Sequence, residues 1–139
     1  MDSAAVRDRI KRKLEAHGVT PTSQRLDVGV VLLDKPCHMS ADSLLNTLRV
    51  SGARVSKATV YNTLNLFAQR GLVREVTVDP TRTYYDSTTE PHHHFYNVDT
   101  GELTDIPPEA IEIRELPELP EGTAAASVQV VVRVRSEQR

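Results

Sequence analysis

Apolar positions in the first half of the chain recur at helical spacing, and after Gly71 the spacing changes. Ala5, Val6, Ile10 and Leu14 alternate with Arg7, Arg9, Lys11, Arg12 and Lys13, which predicts a basic amphipathic helix over 4–16 that ends at Gly18. Pro21-Thr22 opens a second helix, with Thr22 as its N-cap and Leu26, Val28, Val30, Val31, Leu32 and Leu33 as its apolar run. Pro36 stops it, because proline lacks a backbone donor and disfavours helix at Lys35. Ser40 caps a third helix, and Ser56 caps a fourth that runs to about Gln69. The period then falls to two. Residues 72–78 alternate like a strand, Asp79-Pro80-Thr81 turns the chain, and Thr83-Tyr84-Tyr85 returns.

Helices followed by a two-stranded hairpin are the order of a winged helix-turn-helix domain. Beyond Pro91 the pattern is different. His92–Val98 and Glu102–Ile106 flank an Asp99-Thr100-Gly101 turn, proline-rich residues 107–122 leave room for a short helical turn, and Ser127–Arg135 is a β-branched strand. Three such strands form a small sheet that needs a second copy to be stable. The expected fold is α+β: an N-terminal winged helix-turn-helix domain over 1–86, a hinge over 87–91, and a small C-terminal α/β dimerisation and metal-sensing domain over 92–139.

Composition narrows this picture. The 139 residues suffice for one full domain or two small ones that share a dimer interface. No apolar run approaches the roughly 18 residues of a membrane span. The N-terminus has no secretory h-region, so the expected location is the cytoplasm, without a membrane partner. Cys37 is the only cysteine, which excludes an internal disulfide framework and a Cys₄ zinc site within the chain. The net charge of −2 conceals a segregation. Residues 1–75 hold 12 Lys and Arg against 7 Asp and Glu, and residues 76–139 hold 5 against 12. A basic N-terminal half suits phosphate binding.

The fourth helix has the face such binding needs. Val60, Leu64 and Phe67 share its core side, while Ala58, Asn62, Asn65 and Gln69 lie opposite with Thr59 and Tyr61 at the edges. Amide side chains can bond adenine edges in a major groove, and Lys57 and Arg70 at the ends suit phosphates.

In the second half, His92 and His94 share one face of a strand and His93 takes the other. The hairpin turn sets His94 opposite Asp105. Asp86 precedes the hinge, and His38 follows the second helix. The candidate metal ligands are His38, Asp86, His92, His94 and Asp105, a nitrogen and oxygen set suited to Fe²⁺, Mn²⁺ or Zn²⁺.

The strings Pro21-Thr22-Ser23-Gln24-Arg25, His38-Met39-Ser40-Ala41-Asp42 and Ser56-Lys57-Ala58-Thr59-Val60-Tyr61-Asn62-Thr63-Leu64, with the histidine cluster, resemble the ferric uptake regulator superfamily of metal-dependent transcription factors over nearly the whole chain. The resemblance implies DNA contacts from Arg25 and Tyr61, beside those expected of Lys57, Thr59, Asn62 and Asn65. It assigns the five ligands to the regulatory metal site. Both carboxylates are aspartate, as in the peroxide-sensing branch, where Fe²⁺ directs peroxide against its own histidine ligands and DNA is released. The first cysteine pair of the family's structural zinc would fall at Asn97 and Thr100, so that zinc is not expected. A further family site would draw on His93 and Glu112 but lacks its late histidine. The His-His-His-aromatic run and the Val131-Val132-Arg133-Val134-Arg135 strand are closest to the iron response regulators, some of which bind haem at the triplet. Haem at His92–His94 therefore stays open, without the Cys-Pro motif that accompanies it in that branch.

The expectation is a metal-responsive, sequence-specific DNA-binding repressor, homodimeric or paired further into tetramers on a double-stranded operator. Its input is iron or haem status, peroxide or manganese. The rival from another class is a small non-haem iron enzyme, which would explain the ligands but neither the amide-faced helix nor the charge split.

Overall fold

The computed structural model describes residues 3–79, 81–90 and 92–137. The chain forms two compact units, Met1–Thr89 and Glu90–Arg139. No helix among the described residues is long and apolar enough to cross a membrane.

The first unit runs α1 (Ser3–Ala16), α2 (Ser23–Leu33), β1 (His38–Ser40), α3 (Ala41–Val50), α4 (Lys57–Gln69), β2 (Arg74–Asp79) and β3 (Arg82–Asp86). Three of its helices start at hydroxyl caps. Thr22, Ser40 and Ser56 are extended, and their side-chain oxygens accept the backbone N–H groups of Arg25, Ser43 and Thr59. Each cap contributes about 1 kcal/mol by satisfying an otherwise orphaned donor. The helices enclose one core containing Ile10, Leu14, Leu32, Leu44, Leu48, Leu64 and Phe67. Gly29 is buried within α2, and a Cβ there would lie 2.6 Å from Ile10 Cγ2. A mid-helix glycine costs roughly 1 kcal/mol of propensity; here it lets α1 and α2 close on each other.

Two features differ from the sequence expectation. The strand expected from Leu72 begins at Arg74. Gly71, at φ +76°, ends α4 in the left-handed region, and the Leu72 N–H returns to the Phe67 carbonyl at 2.9 Å, so Leu72 belongs to the helix stop. The second is β1, which the periodicity did not indicate. It pairs antiparallel with β3 on the side away from β2, giving the order β1-β3-β2. The expected turn residue Pro80 lies outside the described residues.

The second unit holds β4 (His93–Asn97), β5 (Leu103–Ile106), a 3₁₀ turn over Pro108–Ala110, and β6 (Val131–Val134). β4 is central, antiparallel to β5 and parallel to β6. The Asn97 side-chain carbonyl closes the β4–β5 turn by accepting the Asp99 and Thr100 N–H groups at 2.9 and 3.1 Å. β6 is shorter than the expected 127–135 strand. The ladder opens where the Val130 carbonyl accepts the His94 N–H at 3.1 Å, while the Val130 N–H bonds the His93 ring. Residues 111–130 contain Pro117 and Pro120 and form no regular helix or strand.

Candidate metal centre and recognition helix

The second unit gathers three of the candidate ligands. The β4–β5 register sets His94 opposite Asp105, as the turn position predicts. Asp105 Oδ1 lies 3.1 Å from His92 Nε2 and 3.3 Å from His94 Nε2. The two rings are 4.4 Å apart, and both are buried. Donors bonded to one ion at ~2.1 Å sit about 3.0–3.4 Å from each other, so these separations suit a shared coordination shell. His92 is oriented further by its other nitrogen. Nδ1 lies 2.7 Å from the Glu90 carbonyl, which can only accept, so Nδ1 carries the proton. The His92 Nε2 faces the Asp105 carboxylate oxygen, a pairing that a proton or a cation between them would satisfy.

The first unit brings together the other two. His38 on β1 is the direct cross-strand partner of Asp86 on β3. Asp86 is 1% exposed and accepts the Thr88 N–H at 2.8 Å. Next to them, the Cys37 N–H donates to Ser87 Oγ and the Cys37 carbonyl accepts the Ser87 N–H, so the strand pairing continues past the donors. Burial first, and then the Asp86 charge, raise the Cys37 thiol pKa above its ordinary value, so it stays a neutral thiol near neutral pH. Imidazole and carboxylate donors in both units suit the borderline divalent metals Fe²⁺, Mn²⁺ and Zn²⁺.

His93 and Glu112, the candidates for a further site, each have other partners. His93 Nδ1 accepts the Val130 N–H at 2.9 Å, and exposed Glu112 lies 3.4 Å from Arg114. Sequence reasoning missed Gln129, whose side-chain amide lies 3.1 Å from His94 Nδ1. No local pattern marks it, because only the parallel pairing of β4 with β6 brings it there.

The outer face of α4 is as the helical spacing predicts. Val60, Leu64 and Phe67 are fully buried, while Ala58, Tyr61, Asn62, Asn65 and Gln69 are exposed. Lys57 Nζ stands 5.9 Å over the Tyr61 ring. Half-buried Arg25 donates to the Thr20 carbonyl at 2.8 Å and joins Thr22, Thr59 and Asn62 in lining one groove between α2 and α4. The residues expected to meet DNA in α4 thus share one solvent-facing surface, and Arg25 borders it.

A sequence model described as the ferric uptake regulator family matches residues 16–133. The Bacillus subtilis peroxide operon regulator is 32% identical over 93 residues, which cover 67% of this chain and 64% of that protein. A Staphylococcus aureus peroxide-responsive repressor, PerR, is 31% identical over 104 residues, 74% of this chain and 70% of its own. Among solved structures, the Pseudomonas aeruginosa ferric uptake regulator with manganese superposes with a TM-score of 0.69 at 27% identity, covering 92% of this chain and 98% of that one. These matches set aside the iron-enzyme rival, because proteins of this kind regulate transcription.

Proposed function

The chain belongs to the ferric uptake regulator family of metal-responsive, DNA-binding transcriptional regulators, and we propose that it is a cytoplasmic, homodimeric repressor whose hold on DNA is set by one Fe²⁺ or Mn²⁺ ion. The proposed ligands are His38, Asp86, His92, His94 and Asp105. The observation that carries the reading is the His92–Asp105–His94 cluster, where two buried imidazole nitrogens lie 3.1 and 3.3 Å from one carboxylate oxygen. Two donors from one unit and three from the other would tie the units together across residues 87–91. That linkage would hold the paired α4 helices at the spacing of successive major grooves on a two-fold operator. The ion is then an effector through its preference for one arrangement over others. Homodimerisation is supported by exposed Phe95, Val98, Ile113, Leu116, Leu119, Val128 and Val132, all within the second unit. Further pairing into tetramers would be read by sedimentation on operator DNA.

Peroxide is the input best supported. Both proposed carboxylate ligands are aspartates, and two relatives are named for their peroxide response. Bound Fe²⁺ would activate peroxide, and a liganding imidazole would give up two electrons to it, taking up one oxygen atom while the other leaves as water, and would lose its hold. Anaerobic gel shifts with Fe²⁺ or Mn²⁺ test the metal switch. Metal should raise DNA affinity in the wild-type chain and not in His92→Ala, and equal affinity in all lanes would end the proposal. Peroxide added to the Fe²⁺ form should release DNA and add one oxygen to His38 or His92 by mass spectrometry. Release by haem without oxygen addition would instead favour a haem input at His92–His94. Zn²⁺ in the same titration tests the third metal that suits these donors.

A further inference from the structure

We propose that Ser87 is a positioning residue for the metal centre: its hydroxyl closes the strand end beyond His38 and Asp86, which presets those two donors and fixes where the chain leaves the first unit. The inference rests on the reading of His38 and Asp86 as metal ligands. Cys37 precedes β1 and Ser87 follows β3, so they form the next rung beyond the His38–Asp86 pair. In a regular antiparallel rung of this kind, each residue gives its N–H to the other's backbone carbonyl. Only half of that exchange occurs here. The Ser87 N–H donates to the Cys37 carbonyl at 2.9 Å, but the Cys37 N–H donates to Ser87 Oγ at 3.0 Å. A side-chain oxygen has taken the place of the backbone carbonyl.

The replacement lets the strand end without a stranded donor. The main chain bends at Ser87, and a bend there would ordinarily leave the N–H of half-buried Cys37 without its ladder acceptor. The hydroxyl keeps that bond while the backbone turns off the sheet. Its own proton has two carbonyls within 3.3 Å, those of Lys35 and Cys37. Pro36, between them, has no N–H to contribute. The hydroxyl thus fastens the link that leads from α2 into β1. One residue further on, the Thr88 N–H donates to Asp86 Oδ1 at 2.8 Å. The backbone is held as far as Thr88, and the hinge begins beyond it.

The consequence for His38 and Asp86 is their place in the ladder. The last rung of a strand pair frays most readily. With the Cys37–Ser87 rung closed, His38 and Asp86 occupy an interior rung although they are the first residue of β1 and the last of β3. An ion then meets two donors already side by side, and the cost of ordering them does not fall on its binding. Alanine at position 87 would offer the Cys37 N–H no side-chain acceptor. That group would turn to water or draw the main chain back onto the ladder, and either change moves the root of the hinge. Threonine keeps the hydroxyl on a frame that suits an extended backbone.

The test uses the full chain. In the metal-free protein, hydrogen exchange at the Cys37 amide should be slow in the wild type and in Ser87→Thr. It should quicken about fivefold in Ser87→Ala, as for one lost hydrogen bond, with exchange in α4 unchanged. Mn²⁺ titration followed by electron paramagnetic resonance should show Ser87→Ala binding about fivefold more weakly than wild type, for the same reason, and Ser87→Thr binding like wild type. Operator affinity without metal should be equal in all three chains, which separates positioning of the donors from a general loss of structure. A Cys37 amide that exchanges as fast in the wild type as in Ser87→Ala overturns the inference. So does wild-type Mn²⁺ affinity in Ser87→Ala, or a Ser87→Thr chain as weak as Ser87→Ala. Each of these leaves the metal reading intact. A wild-type chain that binds no Mn²⁺ overturns both.

Discussion

The two units of this chain bury different kinds of residue. Of the buried apolar residues among those described, eighteen lie in Met1–Thr89 and three, Tyr96, Leu103 and Ile106, in Glu90–Arg139. The second unit adds two histidines to those three, so polar rings make up much of what it conceals. The first unit is an ordinary core closed by helix caps, in which hydrophobic burial supplies the main drive to fold. The second is a thin sheet whose interior mixes apolar side chains with imidazole rings, and such a sheet gains stability from whatever binds its rings and covers its exposed apolar residues. On the proposed reading, three of the five ligands would come from the unit that lacks a full core of its own.

The sharpest way to break this contrast is to damage the core. Phe67 is fully buried, and Phe67→Ala should cost about 3–5 kcal/mol. Urea unfolding should show that loss equally with and without Mn²⁺; a loss that Mn²⁺ fully repaired would mean the units do not divide the work. Next is the metal effect. Mn²⁺ at a hundredfold excess over its dissociation constant should stabilise the folded chain by about 2.7 kcal/mol. Hydrogen exchange should place the added protection in β4–β6 and in the β1–β3 pair that carries His38 and Asp86, and His94→Ala should remove it. Protection confined to α1–α4 would reverse the assignment. Acid should weaken the same effect, since protons compete for the imidazole and carboxylate donors.

A smaller effect belongs to the DNA face. Asn62→Ala should cost about 1–3 kcal/mol of operator binding, as for a lost base contact, and leave the urea midpoint unchanged because the side chain is exposed. The smallest is Asn97→Ala at the β4–β5 turn. Losing the two N–H bonds its side chain accepts should cost about 1 kcal/mol in the second unit only. The loss should be the same in the presence of a zinc chelator.

How legible each part was depended on how local its cause is. The caps at Thr22, Ser40 and Ser56 and the buried stripe of α4 could be read directly, because three or four neighbouring residues decide them. The His94–Asp105 pairing was legible for the same reason: the turn at Asp99–Gly101 fixes the register of the strands on either side. Strand β1 was not. Three residues cannot display an alternation, and its partner β3 lies far along the chain. Gly29 gave no sign of its close approach to Ile10, since the contact depends on two helices meeting. The candidate ligands could be named from their types and spacing, but not the groups that orient them. The Glu90 carbonyl and the Gln129 amide become visible only once the backbone has been placed.

The Asn97 turn has a consequence for metal economy. At Asn97 and Thr100, where the resemblance would put the first pair of zinc-binding cysteines, the structure has a side-chain carbonyl holding two backbone N–H groups, and Ser136 docks on the same turn through Asn97 and Asp99. This corner is assembled from groups the ribosome supplies, so a cell starved of zinc can still close it. A regulator that needed one scarce ion to keep its shape and a second to report on would answer to the supply of both. A corner closed by hydrogen bonds needs no ion of its own.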